Sequence, residues 1–312
     1  MDFNKIKKGF IISFIMGIIL LFVLGVYSDY QKLVLVFKGF NYFYLPIILS
    51  LAPLNYFFRY IKWSYYLKST DIHIERRDNI LIFLSGLAMT ITPGKVGEFL
   101  KSYLLKEKYH ISYSKSSPLI IGERFTDGIS VLILSLLGCF YFKDGLLLLS
   151  IILLLVILFL YFISNKKMVY YVLSKIHNIN FFKKYEDSFI NFYENISIIL
   201  KGRILFNSIL IGIVSWFFEG VVIYFTIKSL ESTISIFASV FIVSFSFILG
   251  ALSMIPGGLI AVEGSLIGFL VLIGINKDLA VATTIISRFS TLWLGVFIGI
   301  ISLLVLKFKN RD

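Results

Sequence analysis

Apolar residues run along this chain in long stretches, cut by short polar breaks. A helix needs about 20 apolar residues to cross a bilayer. Stretches of that kind cover roughly 10–27, 43–66, 118–142, 145–163, 204–228 and 279–306. Two more apolar regions are interrupted: 80–105 at Pro93-Gly94, and 234–274 at Pro256-Gly257-Gly258. The halves of the first are too short to cross alone, which predicts a re-entrant hairpin. The second fits either a deep hairpin or two short spans. The pattern therefore predicts a single all-α polytopic membrane domain over 1–312, with about six full spans plus two interrupted hairpins. At the N-terminus the apolar run exceeds the 7–15 residues of a signal-peptide core, and no small-residue cleavage site follows. An uncleaved first span behind Lys5, Lys7 and Lys8 is expected.

Composition agrees: 58% of residues are hydrophobic and 15% charged, against about 25% charged in soluble domains. The net charge of +12 would suit nucleic acid if it were spread over a soluble face. It is concentrated instead in the connections 67–79, 106–117 and 164–203 and at the C-terminus, while 28–41, 143–144, 229–233 and 275–278 are short and nearly balanced. All the basic segments fall on one side, so the positive-inside rule places both termini in the cytoplasm and the chain in the plasma (inner) membrane. No nucleic-acid partner is needed. Within 164–203, Phe182, Tyr185, Phe189, Phe192, Ile196 and Ile199 recur at helical spacing. That predicts an amphipathic helix, on the inner surface or against the ends of the bundle. Cys139 is the sole cysteine, and the three histidines lie in polar connections without ligand spacing, so no metal and no cofactor are expected.

The two breaks belong to a repeat. "MTITPGKVGEFL" precedes "GERFTDG", and "LSMIPGGLIAVEGSL" precedes "SRFSTLW". Arg124 lies 31 residues after Pro93 and Arg288 lies 32 after Pro256. The resulting units, 43–142 and 204–306, are separated by the single span 145–163. They are therefore expected to enter the membrane from opposite sides, as in transporters built from inverted repeats with broken helices.

Ten ionisable residues stand in the apolar regions: Arg59, Lys62, Lys95, Glu98, Glu123, Arg124, Asp127, Glu219, Glu263 and Arg288. Five are basic and five acidic, so the interior is expected to be neutral. Each would cost about 2.5–3.5 kcal/mol or more facing lipid. Arg59 and Lys62 share one helix face, as do Glu123 and Asp127. A polar seam through both repeats follows, either an ion-pair network that fixes packing or the lining of a cavity. Backbone N–H groups after Pro93-Gly94 and after Pro256-Gly257-Gly258 lose their helical partners and become candidate anion donors. Lys95 adds charge at the first break.

Pro93-Gly94-Lys95-x-Gly97-Glu98, Glu123-Arg124-x-x-Asp127 and Pro256-Gly257-Gly258 leading to Glu263 resemble the flippase-like transmembrane domain family. This is the membrane half of lysylphosphatidylglycerol synthases, which also occurs as stand-alone proteins. Ile260 stands where the resemblance implies a glycine. The resemblance implies transport of an anionic, aminoacylated or polyprenyl-linked lipid between leaflets. On that reading Lys95, Arg124 and Arg288 would meet phosphate, and the carboxylates would balance basic groups or carry protons. The synthases' soluble aminoacyl-transfer domain is not expected in this chain, so it is not expected to be an enzyme, although a separate lipid-modifying enzyme or a second copy is a possible partner. Two alternatives stay open: a small-solute or ion transporter, and a membrane subunit of a headgroup transferase.

Overall fold

The computed structural model describes residues 30–136, 138, 145–176, 185–255 and 258–309, together with Ile11, Ile15, Gly17, Ile19 and Val23. The first expected span, Phe182 and Cys139 lie largely or wholly outside the described residues. What is described is entirely helical.

A short helix α1 (Tyr30–Lys38) occupies the segment expected as a bare connection and is bent by 72° from the long helix that follows. That helix, α2 (Leu45–Ser69), is entered through a 3-10 turn over Tyr42–Tyr44, where the Asn41 side chain accepts from the Phe43 amide. Next come α3 (Arg76–Leu87), a 3-10 segment over Pro93–Phe99, α4 (Leu100–Tyr109) and α5 (Tyr113–Leu136). The second half has α9 (Gly202–Ser229), α10 (Ile236–Leu252), a break, α11 (Ala261–Leu272) and α12 (Lys277–Arg288). From α12 the chain continues through a π turn over Phe289–Trp293 into α13 (Leu294–Lys309). Both halves thus run long helix, short helix, break, short helix, long helix. The helix ends match too: Asp71 and Glu231 after the first long helices, and His110 and Gly274 after the second short ones, all take positive φ, the left-handed stop that frees a helix C-terminus to turn.

Between the halves lie α6 (Gly145–Ser164), α7 (Lys166–Ile176) and α8 (Glu186–Ile199). In α6 only Leu149 is buried, so this strongly apolar helix keeps most of its surface for lipid. Of the two placements open for the amphipathic segment, α8 takes the packed one. Tyr193, Ile196 and Ile199 are buried, and a Cβ on Gly122 of α5 would sit 2.7 Å from Ile199.

By length and composition α6, α9 and the continuous Lys277–Phe308 helix cross a membrane, and α1 with α2 would make a fourth, bent span. Expected span 118–142 is represented by α5, whose 24 residues include Lys115, Glu123, Arg124 and Asp127. Those charges require the face of α5 that carries them to turn into the bundle.

The two long helices α2 and α9 pack against each other. Ser208, Gly212 and Ser215 are buried on α9, the small-residue spacing that lets membrane helices approach closely. Asn55 Nδ2 donates to the Ser215 carbonyl at 2.8 Å, and Ser215 Oγ donates back to the Asn55 carbonyl at 3.4 Å. Elsewhere, a Cβ on Gly299 of α13 would come within 2.2 Å of the Ala88 backbone nitrogen, so the absent side chain is what seats α13 on α3.

Candidate functional site

The first break is an ordered turn. Thr92 Oγ1 donates to the Met89 carbonyl at 2.6 Å and accepts the Gly97 amide at 2.8 Å. Gly97 has no room for a Cβ, which would lie 2.7 Å from both Met89 Cβ and Thr92 Oγ1. Of the backbone donors expected to be free beyond Pro93-Gly94, the Gly97 amide is therefore already used. Pro93, Gly94 and Lys95 form the start of the 3-10 segment. The Lys95 side chain, like Pro256 and Gly257, lies outside the described residues.

That turn delivers Glu98 into a cluster built by three elements. From α2 come Arg59 and Lys62, one turn apart; from α5 come Glu123, Arg124 and Asp127. Lys62 pairs with Asp127, and Arg59 lies 3.4 Å from Glu123 and 4.0 Å from Glu98. Lys115 at the start of α5 donates to the Asp71 carbonyl just beyond the end of α2, so the two helices run antiparallel and these long side chains reach along the helices to meet. Arg124 reaches Glu98 at 3.3 Å, Glu123 at 2.6 Å and Asp127 at 3.1 Å.

A seventh member was missed in the sequence. Lys101 of α4 is buried, with Nζ 2.5 Å from Glu123 Oε2 and 4.3 Å from the centre of the Trp63 ring. It lies three residues after Glu98, on the same helical face, and that spacing is the signal that could have found it. The expected balance of five and five was of the whole interior, and across both described centres Lys101 makes five cations against five carboxylates; the first-half cluster by itself is unequal. Arg59, Lys62, Lys101 and Arg124 face Glu98, Glu123 and Asp127, four cations against three carboxylates and a net charge of one positive.

A second pair lies in the other half. Arg288 Nε donates to Glu263 Oε1 at 2.6 Å, and both residues are buried. A cavity of about 50 Å³ joins the two centres, lined by Tyr56, Arg59 and Thr90 from the first half and Glu219, Arg288 and Thr291 from the second. The Tyr56 hydroxyl spans it to donate to the Thr291 carbonyl. The polar seam therefore runs from the cluster through Arg59 to Arg288 and Glu263. Thr284, one turn before Arg288, does not line this cavity; its hydroxyl donates to the Ala280 carbonyl within its own helix. Gly258 is elsewhere, on the wall of an apolar groove that Arg124 and Asp127 also reach.

Buried pairs of this density are costly to assemble, since each ion loses several kcal/mol of hydration before its partners repay it. Several polar atoms remain without a hydrogen-bond partner in the protein: Arg59 Nε, Arg124 Nε and Nη1, Glu98 Oε1 and Glu263 Oε2. An arrangement serving packing alone would satisfy these groups. It suits a site that takes up water or a charged group.

A model of the lysylphosphatidylglycerol synthase transmembrane region matches residues 10–299. The chain belongs to the lysylphosphatidylglycerol synthase transmembrane-region family. A comparison with curated proteins found no match. Membership of this family, with the apolar helices above, makes the chain a polytopic membrane protein with a role connected to membrane lipid. The residues that suggested the resemblance, Glu98, Glu123, Arg124 and Asp127, are those the fold gathers into one cluster.

Proposed function

We propose that this family member is a flippase or scramblase that moves an anionic, aminoacylated or polyprenyl-linked lipid between leaflets. The observation that carries the reading is the position of Arg124. Its guanidinium belongs to a buried cluster with one excess positive charge, and it also borders an apolar groove on the side of the bundle. A lipid presents the same two chemistries, an anionic phosphate joined to hydrocarbon. Headgroups would pass along the seam between Arg59, Glu219 and Arg288 while the hydrocarbon stays in an apolar phase.

The matched order of elements in the two halves supports an inverted repeat, with the breaks near Gly94 and Gly257 gating opposite faces. Both termini would then be cytoplasmic and the host membrane the plasma membrane. Reconstituted into liposomes, the protein should accelerate translocation of a labelled anionic phospholipid, and Arg124→Ala or Glu98→Gln should each slow it at least tenfold. Unchanged rates in both variants would overturn the assignment. Single cysteines near Gly94 and Gly257 should label from opposite sides, and same-side labelling would remove the inverted arrangement.

The second reading, a small-anion transporter, is favoured by the central cavity, whose 50 Å³ suits an inorganic ion or a few waters better than a headgroup. Anion-driven currents without lipid movement would select it.

A further inference from the structure

The lipid-carrier reading leaves unstated where the hydrocarbon chains lie. The apolar groove beside Arg124 has a volume of about 480 Å³ and is half-open on the flank of the bundle, within the roughly 300–1,000 Å³ of ligand pockets. Its walls come from α5, α6, α9, α10 and α11, with Phe125 and Leu132 on one side and Ile152 and Val156 on the other. Among the described residues, the ionisable ones that reach it are Arg124 and Asp127. Asp127 is engaged by Lys62 and Arg124. Arg124 directs Nη2 at Glu123 and Asp127 and Nε at Glu98, while its Nη1 has no hydrogen-bond partner in the protein. The polar end of the groove is thus a guanidinium whose Nη1 has no partner in the protein, set in a cluster of four cations and three carboxylates.

Access comes from the bilayer. The α6 wall belongs to the helix with the least buried surface, and Leu147, Leu154 and Leu155 on its outer side are exposed. The floor is kept low by Gly128, one residue beyond Asp127, where a Cβ would meet nothing within 4 Å.

We propose that this groove seats one acyl chain of an anionic diacyl phospholipid, with the phosphate held at Arg124 and the second chain left in the bilayer through the open flank. The proposal rests on the lipid-carrier reading and adds to it: the chain is bound by the protein, so recognition covers hydrocarbon as well as headgroup. Charge complementarity selects the anionic class, and the half-open side suits a lipid with two chains.

The test uses the full chain in phosphatidylcholine nanodiscs containing phosphatidylglycerol with a diazirine in one acyl tail. Photolabelling should map to α5 residues 125–132 and to Ile152 and Val156. Gly128→Leu, which fills the groove without touching an ion pair, should cut that labelling and the translocation rate in liposomes at least fivefold with an unchanged unfolding midpoint. Val156→Trp narrows the groove from the opposite wall and should do the same, which covers the case in which Gly128→Leu fails to fold. Gly268→Leu, at another glycine with open space around its Cβ position, should change neither. Labelling that persists in both groove variants, or that maps only to the outer face of α6, would overturn the seat while leaving transport standing. A wild-type protein that moves no lipid but loses labelling in the groove variants would overturn transport and keep the seat. Stronger labelling by a diazirine-bearing polyprenyl phosphate would overturn the two-chain assignment.

Discussion

Replacing Lys101 by methionine removes the amine that lies 2.5 Å from a fully buried Glu123 and keeps most of the side-chain volume. Breaking a buried ion pair from one side costs about 3–5 kcal/mol, because the remaining charge is left uncompensated. Glu123 retains Arg124 at 2.6 Å and Arg59 at 3.4 Å, which places the expected cost at the lower end, about 3 kcal/mol. Loss of the ammonium over Trp63 contributes about 0.5–2 kcal/mol of that. Glu123→Gln is expected to be equally damaging, since four cations then share two carboxylates and an amide. The double variant removes both charges together, so its cost should fall short of the sum of the singles by about 2 kcal/mol. Reversible unfolding in mixed micelles measures all three. Costs that add to within about 0.5 kcal/mol would show that the pair is not coupled and would refute the reasoning. The variant also takes the cluster from one positive charge to none, so translocation of an anionic lipid should slow in Lys101→Met more than in Lys101→Arg.

Gly299→Ala should destabilise by about 1–3 kcal/mol, because its Cβ meets backbone of α3 at 2.2 Å and backbone cannot yield, whereas Gly268→Ala should stay within about 0.5 kcal/mol; thermal melts in nanodiscs compare them. Ile260→Gly should stabilise by about 1 kcal/mol, since Ile260 is β-branched at φ 73° and relief of that backbone strain exceeds the entropy a glycine adds; an unchanged or lower melting point would contradict it. Tyr109 donates to Asp78 at 2.5 Å, and burial followed by that bond pushes its hydroxyl up to about 12 from 10. A raised folded value means the protonated phenol stabilises the fold below pH 10, and that contribution is lost as pH rises from 10 to 12. Tyr109→Phe should therefore lose less stability than wild type over that window, read by unfolding at fixed denaturant.

Much of this molecule is legible in its sequence because lipid imposes strong rules. Unbroken apolar runs must be helices, Pro-Gly must interrupt them, and ten charges in apolar surroundings must face inward. Helical periodicity also gave the pairs within one element, Arg59 with Lys62 and Glu123 with Asp127. It does not say which helix faces which. That Arg59 meets Glu123 and Lys62 meets Asp127 depends on the intervening hairpin, which returns the chain beside the end of α2 and sets α5 against it. Lys101 was hidden for the same reason: it lies among apolar residues at the edge of a basic connection, and only the fold turns it inward, under Trp63 and against Glu123. The two outcomes open for the amphipathic segment were settled by Gly122, whose missing side chain gives Ile199 a seat. Local pattern fixes what each helix must hide, because burial energy depends on composition. Which partner it hides against depends on crossings between residues on different helices, distant in the chain, and those only the tertiary structure decided.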